Sequence, residues 1–257
     1  MKALLAVAFL AAAPALAKMT SRPVAYEVGA TKFEGVLVFD DAVKTARPGL
    51  VLVPNWLGIN AANLKQAELV AGDKYVVFVA DMYGKAGRPK NMEEAGKAAG
   101  AVKGDRKLMR QRVNKALEML LADKTAPLAA GKVGAVGFCF GGTAALELAR
   151  SGAKVLGVVS IHGGLNSPTP ADAKAITGKV LALHGADDPN VPPDEVAGFE
   201  DEMRKAGVDW QLVAFGNAVH SFTDPDANSP GKAQYNAKVA RRAYEMMHSF
   251  FAEAFGG

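Results

Sequence analysis

Cysteine is nearly absent from this chain: Cys139 stands alone among 257 residues. One thiol closes no internal disulfide, so stability must rest on a buried core. Histidine is scarce as well, with four scattered residues, and the set offers none of the usual metal-ligand spacings. No metal site and no cofactor are therefore expected. An excess of one charge is missing too. Lys and Arg number 30 against 26 Asp and Glu, and the basic residues are interleaved with acids in stretches such as "EEAGKAAGAVKGDRK". That pattern argues against a nucleic-acid partner. Long apolar runs are confined to "MKALLAVAFLAAAPALA" at the start. With Lys2 ahead of an apolar stretch and Ala15-Leu16-Ala17 at its end, this segment reads as a secretory signal cleaved after Ala17. Its stretch of about 15 residues is short for a bilayer span. The expectation is a signal over residues 1–17 and one domain over 18–257, periplasmic or secreted, with no stable membrane association and acting as a monomer.

Hydrophobic residues make up 50% of the chain and charged residues 22%, an ordinary globular balance with enough length to bury a sizeable core. Export changes the meaning of the lone thiol. A free cysteine is open to oxidation outside the cytoplasm, so keeping one favours a chemical reason over filling.

From Val24 onward, strand-like and helix-like segments alternate. "VAYEV" and "FEGVLVF" suit an antiparallel pair. "GLVLVP", "YVVFVAD" and "KVGAVGF" are short continuous apolar runs, as expected for strands covered on both faces, and "AKVLGVVSIHGG" and "GKVLALHGADD" give two more strands, each ending in His-Gly. Between them, Asn63–Ala71, Asp105–Ala122, Gly141–Gly152 and Asp194–Ala206 read as helices, and Gly84–Lys90 as loop. Met109, Val113, Ala116, Leu117 and Leu120 give the second of these an apolar stripe at helical spacing. "DWQLVAF" is a last strand, and Gln234–Phe255 a closing helix with Tyr235, Val239, Met246 and Phe250 on one face. The alternation implies an α/β architecture: a mostly parallel twisted sheet with helices on both faces. Ligands of such sheets bind beyond the carboxyl ends of the strands.

Cys139 sits at such an end. In "VGFCFGG" it follows a strand directly, precedes a helix, and is bracketed by Gly137, Gly141 and Gly142. Gly-x-Cys-x-Gly is the cysteine form of the strand–turn–helix elbow that presents a nucleophile; residues two away must be small to fit the turn. The amino end of the following helix favours a thiolate, and the Phe140 N–H can help hold an oxyanion. A glycine-rich turn with a buried cysteine is the plainer alternative. A nucleophile of this kind needs a base, and His220 in "FGNAVHSF" lies just after the last strand. His162 and His184 end strands before glycines and suit bracing a turn, while His248 lies inside the last helix. The acid falls in "HGADDPNVPP", whose spacing selects Asp188 over Asp187. The loop "PNWLGIN" offers the Trp56 N–H as second oxyanion donor. Asn55, Met82, Tyr83, Lys85 and Phe222 are candidate substrate contacts, and the aromatic ones suit core packing equally well.

"GFCFGG", "HGADDPNVP" and "HSF", in that order, with "VPNWLGIN" and "ADMYG" upstream, resemble the dienelactone hydrolase family of the α/β-hydrolase fold. The resemblance runs from about Val24 to Phe255. It implies a Cys139-Asp188-His220 triad that opens lactones or other activated esters through a thioester. The type enzymes carry a glutamate where this chain has Asn55, and an arginine where it has Lys85; after "HSF" stand Thr223 and Asp224. An amide cannot take a proton at neutral pH, and lysine does not match arginine's bidentate grip on a carboxylate. The expected substrates are therefore small esters or lactones, uncharged or only weakly acidic. Two other readings compete: a binding or accessory protein that keeps the fold with little turnover, and an amide or peptide hydrolase.

Overall fold

The computed structural model describes residues 18–256; the expected signal, residues 1–17, lies outside the described residues. Strands β1 (Met19–Val28) and β2 (Thr31–Asp40) form an antiparallel pair, joined by a turn in which Gly29 takes φ +58°. There follow β3 (Arg47–Val53), α1 (Ala61–Ala71), β4 (Val76–Val79), α2 (Met92–Gly104), α3 (Arg106–Ala122) and β5 (Leu128–Phe138). Then come α4 (Phe140–Arg150), β6 (Gly157–Ile161), β7 (Lys179–Gly185), α5 (Pro193–Ala206) and β8 (Trp210–Phe215). The small pair β9 (Asn228–Ser229) and β10 (Ala233–Gln234) precedes α6 (Ala237–Ala254).

The eight-stranded sheet runs β1-β2-β4-β3-β5-β6-β7-β8, parallel from β4 through β8. Strand residues alternate between two cores. Val51, Val53, Ala135, Val158 and Ala182 face one side, where α3, α4 and α5 pack. Leu50, Leu52, Val136, Val159 and Leu183 face the other, under α1 and α6. Both faces are apolar, which is why these strands read as continuous runs. The chain goes from β3 to its neighbour β4, then crosses back to β5 on β3's other side. The sheet order therefore reverses between β3 and β5, and the crevice at their carboxyl ends lies between them.

The stripe expected on α3 is the buried one, residue for residue. Two details differ from the sequence reading. Helix α2 falls where no helix was expected: three glycines and a sparse inward face of Ala95, Ala99 and Val102 give a weak periodic signal, and the Asn91 side chain caps it by accepting the Glu94 N–H. On α6 the buried stripe centres on Ala243 and Met247, so Met246 falls at its rim, while Tyr235 precedes the helix; both are exposed. No helix among the described residues is long and apolar enough to cross a membrane.

Candidate active site

The carboxyl ends of β3, β5, β6 and β7 are held level by the pairings Val53↔Gly137, Phe138↔Ile161 and Ile161↔Leu183. Immediately beyond them stand Asn55 and Trp56, Cys139, His162 and Asp188, and His220 follows β8. Register thus collects six residues from separate stretches of chain at one edge.

Cys139 adopts φ +56° and ψ −121°, a left-handed conformation rare for a residue with a side chain. The glycines make it possible. A Cβ on Gly137 would lie 1.9 Å from the Gly141 carbonyl oxygen, and one on Gly141 would lie 2.0 Å from the Val53 oxygen. The Cys139 N–H is shared between the Ile161 oxygen (3.0 Å) and Nδ1 of His162 (3.1 Å). Its carbonyl accepts from the Gly142 N–H in the first turn of α4, which has no side-chain cap.

The sulfur lies 3.0 Å from Nε2 of His220, whose Nδ1 lies 2.8 Å from Oδ2 of Asp188. Asp188 is buried, and its Oδ1 accepts the Asn190 N–H at 2.8 Å. Asp187 is exposed, and the carboxylate that meets the imidazole is that of Asp188. The His220 backbone is clamped from outside: its N–H donates to Lys232 and its carbonyl accepts from Gln234. Burial opposes a charge on His220. Hydrogen bonds to Asp188 and Cys139, with their negative charge, outweigh it and raise the imidazole to about 10. The ring therefore holds its second proton across the neutral range.

Among the described residues, neither the Trp56 nor the Phe140 backbone N–H donates to a protein acceptor. The Trp56 carbonyl is fixed by the Tyr83 hydroxyl at 2.8 Å, and the Tyr83 ring packs on Phe140 at 5.8 Å. Burial, with the nearby Cys139, pushes Tyr83 above the usual phenol range, so it remains a donor.

Other candidates are placed differently. Asn55 turns Oδ1 into its own loop, accepting from Leu57 and Asn63 at 3.0 Å each. Lys85 is exposed and paired with Glu34 at 2.8 Å. Phe222 is fully buried, edge-on to His162, so its part is packing rather than substrate contact. Met82 is likewise buried. His184 is buried with Nδ1 unpartnered and braces no turn through it, whereas His248 stacks on Tyr75. His162 and Thr223, bonded to each other at 2.8 Å, belong to the site; no residue spacing signals that pairing.

A cavity of about 500 Å³ lies between α1 and the loop before β9; Asn55, Phe138, His162, Ser221 and Thr223 line it, whereas Cys139 and His220 do not. Its charged lining residues are Lys65, Asp224 and Asp226. A larger cleft of about 730 Å³ between α3 and the β1–β2 turn contains none of the residues around the sulfur.

A sequence profile described as the dienelactone hydrolase family matches residues 33–255. A solved dienelactone hydrolase-like promiscuous phosphotriesterase from metagenomic libraries is 39% identical, with a TM-score of 0.86 over 92% of this chain and 99% of its own. The solved dienelactone hydrolase of Anabaena variabilis shares the fold at 22% identity, with a TM-score of 0.68 over 91% of this chain and 98% of its own. A protein of Aquifex aeolicus, provisionally named a carboxymethylenebutenolidase, is 27% identical over 89% of this chain and 96% of its own.

Proposed function

Because the chain belongs to the dienelactone hydrolase family and has its α/β-hydrolase fold, we propose that this hydrolase cleaves small uncharged esters or lactones with Cys139 as nucleophile. One observation carries the reading: the imidazole bridges sulfur and carboxylate at 3.0 and 2.8 Å beyond the strand ends. The sulfur attacks the carbonyl carbon, and the new oxyanion meets the Trp56 and Phe140 N–H groups. The C–O bond then breaks, and the departing alcohol oxygen takes the proton from Nε2 of His220. This leaves a thioester on Cys139 and a neutral imidazole. Nε2 next draws a proton from water as it attacks the thioester; the acid leaves, and sulfur and imidazolium are restored. Asp188 holds the Nδ1 proton throughout, fixing the ring and stabilising its charged form.

The preference for uncharged substrates is supported by the cavity. It presents two carboxylates and one lysine, with no arginine to pair a substrate carboxylate. Lactone and ester are both compatible with this lining. A second substrate class is favoured by the 39% identical neighbour, named a promiscuous phosphotriesterase. The same sulfur and donors would meet a phosphoryl group, forming an S–P bond as an aryloxide leaves. We further propose that residues 18–257 work as one exported domain; a mature amino terminus at Lys18, read by mass spectrometry, is the expected result.

The test is p-nitrophenyl acetate turnover by wild type, Cys139→Ala and His220→Ala. The wild type gives a burst of nitrophenol and a protein heavier by one acetyl group, and neither variant does. A Cys139→Ala protein that turns over at the wild-type rate would overturn the reading. Dienelactone hydrolysed far better than the aryl acetate would overturn the substrate preference.

A further inference from the structure

His162 lies between the elbow and the loop that carries His220, and its ring touches both. We propose that His162 is a positioning residue for the reaction: its imidazole accepts the Cys139 amide hydrogen and donates to Thr223, fixing the nucleophile against the loop that carries the base. The proposal rests on the reading that Cys139 is the nucleophile.

The proton placement follows from the partners. The Cys139 amide can only donate, so Nδ1 must accept at 3.1 Å, and the ring hydrogen sits on Nε2. Nε2 then donates to the Thr223 hydroxyl oxygen at 2.8 Å. Burial, together with the charge on His220, holds His162 well below its usual range, so it stays neutral and keeps the Nδ1 lone pair. Thr223 stands three residues after His220 and is itself buried. One ring therefore links the elbow to the loop that carries His220, in addition to the contact between the sulfur and the base itself.

Two further features separate this arrangement from ordinary packing. His162 has φ +40°, a conformation disfavoured for a side-chain-bearing residue, and such strain persists where the surroundings require it. Its own N–H is tied to the Leu183 oxygen at 2.8 Å, so the strained backbone is anchored to β7. Its ring also meets His220 edge-on at 5.2 Å and Phe222 at 5.0 Å, which leaves the imidazole no second orientation that keeps both hydrogen bonds. The Cys139 N–H also reaches the Ile161 oxygen. Losing the His162 ring therefore leaves the Cys139 donor paired and takes a partner only from the Thr223 hydroxyl, which lines the cavity; a variant is expected to fold while the elbow loses its lateral restraint.

The experiment compares His162→Leu, His162→Asn and Thr223→Val with wild type and Cys139→Ala, reading the acylation burst, kcat, KM and melting temperature. His162→Leu and Thr223→Val are expected to slow the acylation burst about tenfold to hundredfold while the substrate concentration that half-saturates the burst changes less than about twofold, the signature of lost alignment. Asparagine places an oxygen near the Nδ1 position and tolerates the left-handed backbone, so His162→Asn should recover most of the rate. Acylation by both His162→Leu and Thr223→Val within about twofold of wild type would overturn the proposal, as would His162→Asn no faster than His162→Leu. If the leucine variant does not fold, Thr223→Val and His162→Asn carry the same decision. An acyl adduct that persists in Cys139→Ala is a separate outcome: it removes the nucleophile reading and this proposal with it.

Discussion

All eleven residues of α4 are buried, yet its two ends treat charge in opposite ways. At the amino end the backbone is strained at Cys139, and among the described residues no side chain caps the helix and the Phe140 N–H has no protein acceptor. At the carboxyl end the Arg150 guanidinium is enclosed. It meets Glu202 through two bonds at 2.8 and 2.7 Å, Glu147 at 3.1 Å and the Leu165 oxygen at 2.9 Å. Glu147 in turn accepts from Arg110 at 2.7 Å. The closed end anchors the helix, so the open end can keep donors and strain that an unanchored turn would relax. The two ends should therefore fail in different ways: one in rate, the other in stability.

The largest effect belongs to the open end. Cys139→Ala should lower kcat by a factor on the order of 10⁴ or more, with the thermal unfolding midpoint little changed. The closed end should show the converse. Glu202→Ala leaves the Arg150 charge buried without its bidentate partner, an event that typically costs about 3–5 kcal/mol of stability. Urea titration measures that loss, while kcat of the folded fraction should stay within about threefold. A Glu202→Ala protein that keeps its stability and loses turnover would break the division between the ends.

A smaller effect sharpens the comparison through pH. The His220 imidazole is raised from an ordinary 6.5 to about 10 in the folded protein. A raised pKa stabilises the fold fully below about 6.5; that contribution declines as pH rises and is gone above about 10. The stability gap between wild type and His220→Gln should therefore narrow as pH goes from 6.5 to 10. The gap between wild type and Glu202→Ala has no imidazole in it and should hold steady over the same range. A His220→Gln gap that stays constant with pH would show that the imidazole is not held charged by Asp188 and Cys139.

Much of this was legible in the chain. The apolar runs mark the parallel strands because both sheet faces are covered, and Gly137 and Gly141 mark the elbow because any Cβ there would strike backbone. His220 and Asp188 are recoverable because strand ends and chain order narrow the choice. Helix α2 is obscured by its glycines, and the α6 stripe is offset because several residues at its rim are apolar. The role of His162 is invisible to spacing. It depends on β6 and β5 lying side by side, so that a residue 23 positions from Cys139 reaches its amide. Phe222 misled because sequence places a residue near a site without saying which way its side chain turns; Asn55 does line the cavity, with its Oδ1 turned into its own loop.

The smallest effect concerns Lys85, the residue at the position where the family type carries an arginine. Its ammonium is occupied by Glu34 at 2.8 Å, its side chain is 52% exposed, and it does not line the cavity between α1 and the loop before β9. Exposed pairs of this kind are screened by water and lose side-chain entropy as they form. Lys85→Ala should therefore leave the melting temperature unmoved and kcat/KM for p-nitrophenyl acetate within about twofold. The informative arm uses an ester carrying a free carboxylate. If Lys85 gripped that group, its removal would raise KM for the charged ester alone, and the contrast between the two esters would shrink. If Asp224 and Asp226 instead set the preference by repulsion, Lys85→Ala would leave that contrast intact, and Asp224→Asn would narrow it by lowering KM for the charged ester. The two variants thus separate a missing attraction from a present repulsion, which the same poor turnover of a charged ester would otherwise conflate.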